Sequence, residues 1–196
     1  MGVQKFIRRE RRQVKYPSVI ELNYLYNKLP TKYSSVYTHV KLAAKVARNI
    51  AEQLHEIGAK VDVELAQKMA FAHSVFKHLG MQDSRVAQNY LARRGYARLA
   101  KGIGMMRSGV SEKSLNRMSL EEKILAFADY SCRGIKRADG GYEHRVYSLK
   151  DAYEVVKEQN KGEGPEFLER EYNTLKAIED ELVRRGANMK NLPRIR

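Results

Sequence analysis

Glycine cuts this chain into helix-length pieces, and that punctuation limits the fold more than any other feature. From Ser35 to Ile57, His39, Ala43, Val46, Ile50, Leu54 and Ile57 recur at steps of three and four, and Gly58 stops the run. Asp62 is suited to cap a second helix, whose stripe Leu65, Met69, Ala72, His73 and Phe76 leads to Gly80. A third helix begins at Asp83 or Ser84, passes through Val86, Ala87, Tyr90 and Leu91, and closes at Gly95. Tyr96 to about Met106 predicts a further short helix, less regular because it contains Gly102 and Gly104. The last run places Phe167, Leu168, Tyr172, Leu175, Ile178, Leu182 and Val183 on one face and ends at Gly186.

The segments between these runs carry their own signals. Ile20, Leu22, Leu25 and Leu29 predict a first helix ending near Pro30. Residues 107–118 read as a polar, basic loop. Ser119 and Glu122 form a capping box, in which each side chain satisfies the other's backbone N–H at a helix start. The helix that follows passes through Ile124, Leu125, Phe127 and Ala128 to about Gly134. Gly140 and Gly141 place an exposed turn, a lid or short hairpin, in 138–149; helix resumes over 149–156, and 161–165 is a linker. The expected architecture is an all-α bundle in one domain. A basic arm and docking helix occupy 1–34, the core 35–135, and a lid with C-terminal helices 136–196.

Composition narrows the setting. The chain has 196 residues, with 37 Lys and Arg against 23 Asp and Glu, a net charge of +14. Such an excess draws polyanions, so a phosphate-bearing small molecule or nucleic acid is the expected class of partner. The basic and aromatic residues before Pro30, among them Phe6, Arg8, Arg9, Arg11, Arg12, Lys15 and Tyr16, suit phosphate contacts and base stacking, or simply form an arm ahead of a docking helix. A single cysteine, Cys132, excludes an internal disulfide framework and reads as a packing residue. No apolar stretch has the length of a membrane span or signal peptide, so a cytoplasmic protein is expected.

The chemistry concentrates on three residues. His39 and His73 fall on the apolar faces of different helices, and Asp129 follows directly on an apolar Ala-Phe-Ala. An acid at the inner end of a helix is costly to bury without a partner. Two inward imidazoles and an inward carboxylate make a candidate metal cluster if tertiary packing brings them together, although buried histidines more often serve only as hydrogen-bonding groups.

The segment from Tyr37 to Ser131 resembles the HD superfamily of metal-dependent phosphohydrolases. The likeness rests on Tyr37-Thr-His39-Val-Lys-Leu-Ala-Ala-Lys-Val-Ala, on Met69-Ala-Phe-Ala-His73-Ser-Val-Phe-Lys77, on the run Asp83–Tyr96, and on Leu120–Asp129. It implies a helical fold whose metal ligands are His39, His73 and Asp129, with Lys77 reaching a substrate phosphate. Where the family carries aspartate after its second histidine, this chain has Ser74. Places that hold further histidines in two-metal members hold Asp83 and the Met105-Met106 pair. A hydroxyl is a poor replacement for a carboxylate, so a divalent metal is expected to bind weakly or not at all. Arg93, Arg94, Arg107, Lys113 and Arg117 would, with Lys77, extend an anion-binding rim, or else are ordinary solvated charges.

Three functions are in play. The first is an HD-like protein that binds a nucleotide or another phosphate anion with hydrolysis impaired or lost. The second is an active phosphohydrolase using Lys77 and Asp129 beside a metal on His39, His73 and Asp129. The third is an assembly module.

Overall fold

The computed structural model describes residues 16–28, 34–76, 83–106, 111–160 and 164–193. These form helices α1 (Val19–Asn27), α2 (Ser34–Glu56), α3 (Val63–Ala72), α4 (Asp83–Arg93), α5 (Ala97–Met106), α6 (Glu112–Leu115), α7 (Leu120–Ser131), α8 (Leu149–Gln159) and α9 (Pro165–Arg184). One antiparallel hairpin, β1 (Cys132–Lys136) and β2 (Tyr142–Val146), interrupts an otherwise all-α fold. No helix among the described residues is long and apolar enough to cross a membrane.

α2 is the axis of the core. Val40, Leu42, Val46, Ile50 and Leu54 are buried along it, and the small Ala43, Ala44, Ala47 and Ala51 let α3 and α7 lie close against it. Gly58, at φ +88°, turns the chain out of α2 in the left-handed conformation that a C′ glycine adopts. Asp62 starts α3 by accepting the Leu65 N–H, and the Ser119–Glu122 capping box starts α7, both as the sequence predicts. α9 lies against α7, where the Lys123 ammonium meets the Glu181 carboxylate at 2.6 Å.

Several elements differ from expectation for identifiable reasons. α3 ends at Ala72, with His73 as its C-cap, rather than continuing to Gly80. α5 is a regular helix despite Gly102 and Gly104. A Cβ at Gly102 would fall on the Met69 side chain, and one at Gly104 would stand 2.7 Å from the Gln88 amide, so both glycines serve close packing. The segment read as a loop before Ser119 contains the short α6, begun by Ser111. α7 stops at Ser131, and Cys132 to Lys136 forms a strand where helix was expected to reach Gly134. α1 buries Leu22 and Tyr26 while Ile20 is 81% exposed. On α9, Phe167 and Val183 flank the buried stripe of Leu168, Leu175, Ile178 and Leu182 and remain exposed.

Candidate metal and anion site

Three helices bring His39, His73 and Asp129 to one point. His39 lies one turn into α2, His73 caps α3, and Asp129 is in the last turn of α7. His39 Nε2 is 2.9 Å and His73 Nε2 is 3.1 Å from the same oxygen, Asp129 Oδ1. The two Nε2 atoms are 3.4 Å apart. Side-chain exposure is 15% for His39, 6% for His73 and 29% for Asp129, so the carboxylate is the part of the cluster most open to the outside.

The proton count at His73 is decisive. Its Nδ1 lies 2.8 Å from the Ala70 carbonyl oxygen, which can only accept, so Nδ1 carries a proton. In the neutral ring Nε2 is therefore a lone pair, and it faces a carboxylate oxygen. That contact is attractive only with positive charge between the two atoms, either a proton on Nε2 or a metal cation. The same Nδ1–H to carbonyl bond is what commonly orients a metal-ligating histidine.

Burial pushes the Asp129 pKa upward, but His73 and His39 outweigh it and hold the carboxyl well below the usual carboxylate range. At neutral pH the centre thus contains an anionic oxygen. Two nitrogens and one oxygen bound to a single ion at about 2.0–2.2 Å stand roughly 2.9–3.5 Å from one another, across octahedral to tetrahedral angles. The three separations here fall in that range, so the side chains fit a cation without rearrangement.

The cluster opens into a cleft of about 740 Å³. Ser74 lines it, beside the trio, where the resemblance places a carboxylate. The β-hairpin contributes Arg133, Gly134, Lys136, Tyr142 and His144 to the lining, and Gln159 comes from α8. Asp129 is the only acid among these lining residues, against the cations Arg133 and Lys136. The Arg133 guanidinium also lies over the Tyr130 ring, 4.4 Å from its centroid. Cys132 is buried and lines the cleft, and burial, reinforced by the Asp129 charge, pushes its thiol pKa far up. It packs in the core, as expected.

Four of the residues expected on the anion rim, Arg93, Arg94, Lys113 and Arg117, are not among the cleft residues. Arg93 and Arg94 share a separate surface depression with Val86, Asn89 and Tyr90, and Arg94 reaches Glu21 at 3.4 Å. Lys113 and Arg117 are exposed at α6 and are not among the cleft residues. Lys77 and Arg107 lie outside the described residues, as do residues 1–15 of the basic arm; the Asp83 side chain and that of Met106 are likewise not described. The sequence reading missed Lys136, Tyr142, His144 and Gln159. A signal was present: Cys132, Gly134 and Lys136 alternate with Arg133 and Ile135, and Tyr142, His144 and Val146 alternate with Glu143 and Arg145 across a Gly-Gly turn.

Comparison with protein-family models, with curated proteins and with solved structures returned no match.

Proposed function

We propose that this is an HD-type protein that binds a phosphate-bearing anion at a single-cation centre formed by His39, His73 and Asp129, with metal affinity and phosphoester hydrolysis both weakened by Ser74. The observation that supports this reading most is the meeting of two imidazole nitrogens and one carboxylate oxygen within 3.4 Å, where His39 and Asp129 line a cleft that Lys136 also lines.

His39 and His73 would donate nitrogen lone pairs, and Asp129 the one negative charge. The Ala70 carbonyl holds the His73 ring in the tautomer that presents Nε2. A bound cation supplies charge neutralisation for phosphoryl oxygens and acidifies water. With one carboxylate in place of two, the protein offsets less of a divalent charge, and a ligand's own phosphate is left to supply the rest. This favours cooperative binding of cation and anion over tight binding of the cation alone. The cleft volume is within the range of small-ligand sites.

A second reading, retained hydrolysis, is favoured by one observation: three protein ligands leave open positions for water and substrate, as catalytic metal sites do.

Metal analysis and phosphoesterase assays on the wild type and Ser74→Asp test both readings. The expected wild type carries less than one equivalent of metal and has low activity, and Ser74→Asp raises metal affinity by about 10-fold or more. A full equivalent bound by the wild type, with activity that Ser74→Asp does not increase, would sink the impaired-site reading in favour of the active enzyme. Complete failure to bind divalent metal with or without phosphate would remove both.

A further inference from the structure

The hairpin turns a buried histidine toward the cleft that holds the centre. Its register pairs Cys132 with Val146, Gly134 with His144 and Lys136 with Tyr142. Side chains alternate along a strand, so these residues share one face, and Cys132, Gly134, Lys136, Tyr142 and His144 all line the cleft. On β2, Tyr142, Glu143 and Arg145 are exposed, whereas His144 is only 9% exposed.

The backbone opposite makes room for this ring. A Cβ at Gly134 would stand 2.8 Å from His144 Nε2, too close for any other residue unless the ring moved. The His144 ring centroid is 6.0 Å from that of His39, yet His144 is not one of the three residues whose ligand atoms converge. It therefore lies one step out from the cation position, on the cleft side. Lys136, exposed on the same strand face, forms no ion pair among the described residues.

Resting on the function proposed above, we infer that His144 and Lys136 form the anion-holding half of the centre. They bind phosphoryl oxygens of an inorganic phosphate or phosphomonoester group, while another of its oxygens meets the cation on His39, His73 and Asp129. A phosphoryl group is suited to this because it offers several acceptors at once, and N–H donors aimed at anionic oxygens make strong hydrogen bonds. Lys136 supplies a point charge and His144 a directional donor. Gly134 keeps the imidazole in the cleft.

Calorimetric titrations of the full chain with Mn²⁺ alone, and of the Mn²⁺-loaded protein with inorganic phosphate, test this directly. The variants are His144→Ala, His144→Gln, Lys136→Ala and Gly134→Ala. The expected result is Mn²⁺ affinity within about twofold of wild type for His144→Ala and Lys136→Ala, with phosphate affinity lowered by roughly 10-fold or more. His144→Gln, which keeps an N–H donor, recovers part of the loss, and Gly134→Ala repeats it by displacing the ring. Lys136 is exposed, so its variant reports on binding even if a His144 variant folds poorly. Unchanged phosphate affinity in both His144→Ala and Lys136→Ala overturns the assignment. Loss of Mn²⁺ itself in His144→Ala also overturns it, because His144 would then be a metal ligand. If the wild type takes no Mn²⁺ with or without phosphate, the function proposed above fails, and phosphate titration of the metal-free protein decides the inference. Binding that His144→Ala and Lys136→Ala abolish supports the hairpin site, and absence of binding ends it.

Discussion

Two aspartates in this molecule meet polar partners from distant parts of the chain, with opposite outcomes. Asp62 accepts from the Tyr16 hydroxyl at 2.6 Å, from Arg98 at 2.9 Å and from the Leu65 N–H at 3.0 Å. Every one of those partners is a donor, so the carboxylate is satisfied by protein alone. Asp129 instead meets imidazole nitrogens, and His73 presents a lone pair. Donors around an acceptor make a closed structural joint. A lone pair facing a carboxylate needs a proton or a cation between the two. The distinction depends on the proton inventory of the partners, since both clusters are compact and both aspartates are partly buried.

The largest effect that separates the two clusters is on metal. Asp129→Asn and His73→Ala should each lower divalent-metal affinity by about 100-fold or more, at least the upper end of what loss of an outer-shell partner costs. Asp62→Asn should leave it unchanged. Equal losses from Asp62→Asn and Asp129→Asn in the same Mn²⁺ titration would erase the comparison.

Next in size is stability. Asp62→Ala removes an N-cap together with the joint between Tyr16 and Arg98, and should destabilise the fold by about 1–2 kcal/mol in urea unfolding. Asp62→Asn keeps a good cap and should cost less. It should also flatten the acid limb of the stability profile. Burial raises the Asp62 pKa, but the Tyr16, Leu65 and Arg98 contacts outweigh that and leave it below its ordinary value. A depressed carboxyl pKa stabilises the folded state above the unfolded pKa, and this stabilisation disappears as pH falls through the folded value. The wild type should therefore lose stability more steeply than Asp62→Asn between roughly pH 5 and pH 2. Parallel profiles for the two proteins would show that the charge at Asp62 is not coupled to folding.

The smallest effect sharpens the comparison from outside. Arg94 meets Glu21 at 3.4 Å with its side chain 56% exposed. Arg94→Ala should change stability by no more than about 0.5 kcal/mol and leave metal binding untouched. A larger change would mean that opposite charge alone, without enclosure, organises this molecule.

How much of this was legible in sequence follows from how local each signal is. The Asp62 cap, the Ser119–Glu122 capping box and the Gly58, Gly95 and Gly186 stops depend on neighbours within one turn, and each appears in the structure where the sequence placed it. Gly102 and Gly104 misled because their reason lies on other helices, at Met69 and Gln88. The strand Cys132–Lys136 was hidden by the apolar helix running directly into it. The candidate site divides in the same way. His39, His73 and Asp129 stand out because each is polar on an apolar face. His144 and Lys136 occupy exposed-looking sequence, and only the hairpin register turns them toward the cleft.

Apolar periodicity and capping chemistry act over a few residues, and they suffice to specify a helical chain with three polar side chains turned inward. That those three share one point, with His73 Nε2 turned to the Asp129 oxygen, and that a two-stranded ribbon brings a histidine and a lysine to the same cleft, emerges only from the packed fold. The physical reason is that the angle at which helices cross and the register of paired strands are set by packing summed over the whole core, and no short stretch of chain encodes either.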